Sequence, residues 1–202
     1  MSSPKLWRGQ TLDDRTAERR ELLLDVGHEL LGTAGAPAVT MRAVARAANL
    51  SPRYFYESFE SVEALLRAVY DRTEDGLRER LTAVATDGGI AEVLRRAFET
   101  CGDYFEEDPR RARILLREPL ADDTLRAHSQ ARAPLFVQAL APALGTGALL
   151  PAAGTDLAVT ATALTGALVA LYLEWADGRL MLDRDQLAAA AVSTTLALAG
   201  AR

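Results

Sequence analysis

With 202 residues, one cysteine and a net charge of −5, the chain can bury a real core as one small and one medium domain, and it cannot form an intramolecular disulfide. No N-terminal apolar run resembles a signal peptide, and no stretch of about 18 uninterrupted apolar residues reads as a membrane span, so a cytoplasmic protein without a membrane partner is expected. Residues 1–60 hold 8 Lys/Arg against 8 Asp/Glu, so the acidic excess lies entirely beyond them.

Residues 1–12 lack periodicity and are expected to be a flexible arm. A first helix is predicted from Asp13 to Thr33, burying Leu23, Val26 and Leu30 and ending at Gly35 before Pro37. The next stretch, VTMRAVARAANLSPRYFYESF over residues 39–59, reads as helix, turn and helix. Thr40 can cap the first of these, with Val44, Ala45 and Ala48 on one face. Asn49 falls where the chain must reverse, and after glycine Asn best tolerates a left-handed backbone. Ser51 offers a second capping hydroxyl, and Pro52 follows at the position where no N–H is needed. Phe55 and Phe59 can then pack inward while Arg53, Tyr54, Tyr56 and Ser58 face out. A short helix presenting arginine and tyrosine from such a motif points to DNA. Lys5, Arg8, Arg15, Arg19, Arg20, Arg42, Arg46 and Arg53 supply local positive potential, which a DNA reader needs more than a basic chain.

Ser61 is expected to cap a longer connecting helix over residues 61–88, with Leu65, Leu66, Val69, Leu77, Leu81 and Val84 on its apolar side. Residues 89–202 form the second domain. Ile90, Val93, Leu94, Ala97, Phe98, Cys101, Tyr104 and Phe105 follow helical spacing closely and end at Asp108-Pro109. A short arginine-rich helix, Arg110 to Arg117, precedes Pro119, and another runs from Asp122 to Leu140 through a possible kink at Pro134. The loop Pro142 to Gly154 leads to a helix from Thr155 to Ala176, read as a buried packing helix despite its apolar length. Asp183 with Gln186 resembles a capping box opening a final helix towards Leu198. No strand-like alternation is visible, so the fold class is all-α.

Leu23-Leu24-Asp25, Leu30-Leu31, Gly35, Thr40, Val44-Ala45, Ala48, Ser51-Pro52, Phe55-Tyr56, Phe59 and Leu65-Leu66 together resemble the N-terminal domain of the TetR/AcrR family of transcriptional regulators. The resemblance covers roughly residues 15–70; beyond it only length and helical pattern agree. Three positions depart from the family pattern: Asn49 replaces the turn glycine, Arg53 replaces a glycine early in the recognition helix, and Val62 replaces a lysine that contacts phosphate. The resemblance implies a three-helix DNA-binding domain over residues 13–60, followed by a helical effector-binding and dimerisation domain. The resulting expectation is a homodimeric, sequence-specific regulator, a repressor released from double-stranded operator DNA by a small-molecule effector. Arg53 and Tyr54 would enter the major groove, while Thr40, Arg42, Ser51 and Tyr56 would hold phosphates and Ser58 would face the duplex.

Small residues on the last two helices suggest a four-helix dimer interface through Thr162, Gly166, Val169, Ala170, Ala188, Ala191 and Thr195. Phe98, Cys101, Tyr104, Phe105, His128, Phe136 and Trp175 are candidates for an apolar effector pocket, although such aromatics more often form plain core. No catalytic set, metal-ligand spacing or cofactor motif is apparent, and Cys101 reads as a buried structural thiol. Two competing readings remain: a helical protein-interaction module with a degenerate motif, and an enzyme on an all-α scaffold.

Overall fold

A computed structural model describes residues 12–132 and 155–198. Most of the arm, Pro134, Phe136 and the loop Pro142 to Gly154 lie outside the described residues. The order is α1 (Leu12–Ala34), a 3-10 turn (Ala36–Ala38), α2 (Met41–Ala47), α3 (Pro52–Ser58), α4 (Val62–Thr82), α5 (Ile90–Glu107), α6 (Arg110–Ala112), a π-helical stretch (Arg113–Arg117), α7 (Glu118–Ala121), α8 (residues 123–132), α9 (Thr155–Ala176) and α10 (Arg184–Leu198). Every regular element among the described residues is helical.

Local chemistry sets most boundaries. Thr40 Oγ1 accepts the Ala43 N–H at 3.1 Å, and Ser61 Oγ accepts that of Ala64 at the same distance, so α2 and α4 each start on a side-chain cap. Asp183 and Gln186 exchange reciprocal bonds of 2.8 and 3.0 Å at the start of α10, the predicted capping box. Ser51 departs from expectation: it holds the N-cap position of α3, but its hydroxyl makes no capping bond. Pro52 at the first turn supplies the preset φ instead.

Asn49 has φ 52°, the one non-glycine residue with positive φ among those described. The turn therefore uses the left-handed geometry expected of it. Replacing Asn49 by Gly should leave stability nearly unchanged, whereas Val should cost on the order of 1–2 kcal/mol, because a Cβ-branched side chain meets its own carbonyl there. Urea unfolding of the two variants distinguishes them; equal midpoints would exclude backbone strain as the reason for Asn.

One continuous core joins both ends of the molecule. It runs from Leu23, Leu31, Val44 and Phe55 through Leu65, Val69 and Leu77 to Phe105, Ile114, Leu125 and Leu187. Helix α4 is its spine, packing on α1 at one end and on α5 and the π-helical stretch further along. Tyr104 on α5 fastens this contact by donating to Thr73 O at 2.6 Å.

The arginine-rich segment does not stop before Pro119. It continues through Arg113–Arg117 in π geometry into α7. A proline cannot donate to the carbonyl four residues back and clashes with it, and the widened turn lets the helix pass Pro119 without that bond. The segment anchors the reading head: Gly32 of α1 lies against Arg110, where an added Cβ would stand 2.4 Å from the Arg110 Cβ. Gly35, at φ 84°, would place a Cβ 2.9 Å from both Arg113 Nη2 and Glu118 Oε1. Only glycine satisfies both demands. His28 on α1 is largely enclosed, 3.8 Å from Asp108, and burial lowers its pKa.

The largest correction concerns α9. It is not fully buried within the chain: 6% of the apolar segment Val159–Ala176, long enough to cross a membrane, is buried, although Leu168, Leu171 and Trp175 pack partly on the core. α10, by contrast, packs extensively on α5.

Candidate DNA-reading surface

The α2–α3 pair is built on Val44 and Ala45 from α2, Ala48 just past its end, and Phe55 from α3, all buried. Phe59, just past α3, closes the same core. Small Ala45 and Ala48 let the helices cross closely. That packing leaves Arg53, Tyr54, Tyr56 and Glu57 on the outer side of α3, with Arg53 84% exposed. Arg42 and Arg46 are exposed on α2. Thr40 is exposed too, and its hydroxyl uses an acceptor site for the cap, which leaves the O–H as a donor for a phosphate.

Two consecutive arginines of α1 fix the pose of α3. Arg20 Nη1 donates to Ser58 O at 2.8 Å, and its guanidinium lies 4.2 Å from the Phe59 ring centroid. A cation there meets the unpaired carbonyls at the helix C-terminus and an aromatic face at once. Arg19 lies 4.5 Å over the Tyr54 ring, which leaves that ring's other side outward. Arg53 Nε donates to Glu57 Oε1 at 2.8 Å, one turn along the helix; the Glu57 partnership raises the Arg53 pKa further above its ordinary value.

Of the residues expected to meet DNA, Thr40, Arg42, Ser51, Arg53, Tyr54 and Tyr56 are all exposed. Ser58 is a correction. Its Oγ is enclosed and has no hydrogen-bond partner, so it cannot face a duplex in this pose. Ser58→Ala should therefore leave DNA affinity unchanged and hold or slightly raise stability, since it removes a buried group that makes no bond. A tenfold loss of affinity in a direct titration would show that the hydroxyl turns outward on DNA.

The expected effector residues among those described are mostly core or packed against it. Tyr104 and Phe105 are buried, and Phe105 meets Tyr172 edge-on at 5.8 Å. The polar handles are already engaged: Tyr104 with Thr73 O, Tyr172 with Phe98 O at 2.7 Å, and Trp175 Nε1 with Leu182 O at 3.0 Å. Desolvation pushes the Cys101 thiol up to about 12, which keeps it protonated. His128 Nε2 lies 2.6 Å from Asp71 Oδ1 and stands edge-on to Tyr70. Phe136 lies outside the described residues. A groove of about 800 Å³ between α1 and α4 touches none of this set; Arg20, Leu24, Arg72, Asp75, Gly76 and Arg78 are among its lining.

The expected interface residues divide between the two helices. Thr162, Gly166 and Ala170 are exposed on α9, and Val169 is half-covered. Ala188, Ala191 and Thr195 are buried inside the chain, on the α10 face turned inward, so they have no surface to offer a second copy. Beyond its first turn, α10 exposes Ala189, Ser193, Ala197 and Leu198. No group of three or more His, Cys, Asp or Glu among the described residues could hold a metal ion.

Sequence reasoning missed Glu57 and Glu118. The first was visible as an Arg–Glu pair at helical i,i+4 spacing. The second had no local signal, because one of its partners lies 82 residues away.

Comparison with known proteins agrees with this geometry. Residues 23–69 match the family described as bacterial regulatory proteins, tetR family. No curated protein matches the sequence. Among solved structures, a tetR-family transcriptional regulator from Streptomyces coelicolor is 24% identical with a TM-score of 0.68, covering 90% of this chain and 80% of that one. A TetR-like transcriptional regulator from Rhodococcus sp. RHA1 is 22% identical with a TM-score of 0.67, covering 97% and 100%. The fatty acid degradation regulator FadR from Bacillus halodurans is 16% identical with a TM-score of 0.64, covering 91% and 95%. These neighbours are regulators, not enzymes. Residues 23–69 form a TetR-family N-terminal domain, and the chain as a whole has the fold of TetR-family transcriptional regulators.

Proposed function

We propose that this chain is a sequence-specific, homodimeric DNA-binding regulator, a repressor that a small-molecule effector releases from its operator. The observation that carries DNA reading is the outward pair Arg53 and Tyr54 on α3, a helix braced from behind by Arg19 and Arg20. Phosphate contacts fall to Thr40, Arg42, Ser51 and Tyr56, which are also exposed. Val62 begins α4 without the lysine usual there, so that phosphate contact is absent. The homodimer is supported by the uncovered apolar surface of α9. Effector release is supported by the continuity of α4, which packs with α1 beside the reading head and is tied to α8 at its middle. There Arg132 pairs with Glu74, with Asp71 at 3.1 Å and with Asp75 at 2.7 Å. A ligand that binds one arrangement of this second domain better than another would shift both reading heads through α4. A cytoplasmic location is part of this reading, since a bacterial regulator meets its DNA there.

The test is selection from a pool of randomised DNA duplexes, followed by titration of the enriched sequence at several salt concentrations. A two-fold related motif should emerge, with affinity falling steeply as salt rises, because neutralising phosphates releases counterions. A pool that yields no enriched sequence would overturn the reading.

A further inference from the structure

We propose that Glu57 is a specificity-determining residue that works as a unit with Arg53, so that the pair reads two adjacent base pairs; this rests on the DNA-binding reading above. A carboxylate on a face proposed to meet phosphate is unfavourable electrostatically, yet Glu57 is exposed on α3 one turn from Arg53. Folding does not explain it. Arg53 is 84% exposed, and exposed i,i+4 pairs contribute little to stability.

Geometry explains it better. Glu57 Oε1 occupies the Nε–H of Arg53 at 2.8 Å. The guanidinium is left with its two terminal NH2 groups, spaced to donate in parallel to N7 and O6 of one guanine. Glu57 Oε2 carries no bond among those described, which leaves its acceptor sites for a neighbouring base. The base edge that best satisfies a carboxylate there is the N4 amino group of cytosine; adenine N6 also donates but stands beside the acceptor N7, and guanine O6 or thymine O4 would set acceptor against acceptor. The pair therefore demands guanine at one position and selects cytosine beside it. Glu57 also blocks Arg53 from swinging to a phosphate, which would convert a reading residue into a sequence-blind one.

Selection from the same randomised duplex pool tests this, run in parallel with the full-length protein and its Arg53→Ala, Glu57→Gln and Glu57→Ala variants. The expected result is that Arg53→Ala abolishes the guanine preference. Glu57→Gln should reduce discrimination at the neighbouring base pair about tenfold while leaving the other positions intact. Because the glutamine amide can both donate and accept, it should admit thymine or guanine where the carboxylate did not. Glu57→Ala should lose that preference and also weaken the guanine preference, since Arg53 loses its brace. Thermal unfolding of all three should match the parent, which a structural role would not predict. If the parent enriches a motif and Glu57→Gln enriches the identical motif with identical discrimination, the inference is overturned while DNA binding stands. A uniform change at every position would overturn it equally, as a bulk electrostatic effect. If the parent enriches nothing, the underlying reading fails instead.

Discussion

Glu118→Ala is expected to destabilise the protein by about 3 kcal/mol and to loosen the reading head from the second domain. Glu118 is 3% exposed at the start of α7. Its Oε2 accepts the Ala36 N–H at 2.9 Å, and its Oε1 accepts from Arg113 Nε at 2.9 Å. Arg113 Nη1 in turn donates to Thr33 O at 3.1 Å, next to the C-terminus of α1. One carboxylate thus ties together the end of α1, the turn leading to α2, and the π-helical stretch. Removing it leaves a buried N–H unpaired and a guanidinium without its counter-charge, and breaking a buried pair in this way costs about 3–5 kcal/mol. The lower end applies, because the Arg113 side chain is 33% exposed and water screens part of the loss. Glu118→Gln should cost less, since the amide oxygen can still accept one of the two bonds. Urea denaturation measures the first effect. The second appears as a greater loss of affinity for a two-half-site duplex than for a single half-site, because only the former depends on how both heads are held. A Glu118→Ala protein with parental stability would show that the clasp contributes nothing to the fold.

The contrast between Glu118 and the α2–α3 motif shows what a sequence can disclose here. Thr40, Asn49, Pro52, Ser61 and the Asp183–Gln186 box act within three or four residues of themselves. Their roles are written in local spacing, and the structure repeats nearly all of them. Helix α5 was legible for a related reason: large apolar residues alternate with charged ones at helical period, and Val93, Leu94, Ala97, Tyr104 and Phe105 are buried as that pattern requires. Helix α10 offers no such contrast. Alanines and threonines surround it, so the pattern could not say which side faces α5, and Ala188, Ala191 and Thr195 proved to be the inward ones. Ser58 fails similarly: a small hydroxyl at the rim of a short helix is equally at home inside or out, and here its Oγ is enclosed. The aromatics of the second domain carried apolar bulk and polar tips, which suits a pocket or a core, and their hydroxyl and indole donors are engaged by backbone carbonyls within the chain. The π-helical passage past Pro119 was hidden because a proline usually ends a helix.

Ala170→Glu is expected to convert the protein into a folded monomer and to reduce operator affinity by on the order of 10²–10⁴-fold, the range by which joining two binding sites exceeds one. The argument starts from α9. Val159 is 62% exposed, and Thr162, Gly166 and Ala170 lie open on the same helix of small and apolar residues. An apolar helix left this bare in water needs a partner. A second copy joined about a two-fold axis would cover it with its own α9 and with the outward side of α10 around Ala189 and Ser193. An obligate interface of that kind should bury about 2,000 Å² or more in total. A glutamate at position 170 would then be forced into an apolar contact without a counter-charge, which disfavours association strongly while leaving the single chain solvated and intact. Ala191→Glu provides the internal control. Ala191 is fully enclosed within one chain, so the same charge there should unfold the protein rather than separate two copies. Light scattering with circular dichroism separates these outcomes: a helical monomer for Ala170→Glu and loss of helix for Ala191→Glu. Operator binding by the Ala170→Glu monomer should collapse although α3 is untouched, because two weak half-site contacts are no longer linked. A parent protein that is monomeric in dilute buffer yet binds its operator tightly would refute the interface. A parent that stays in solution only with detergent or lipid would assign the bare face of α9 to a membrane instead.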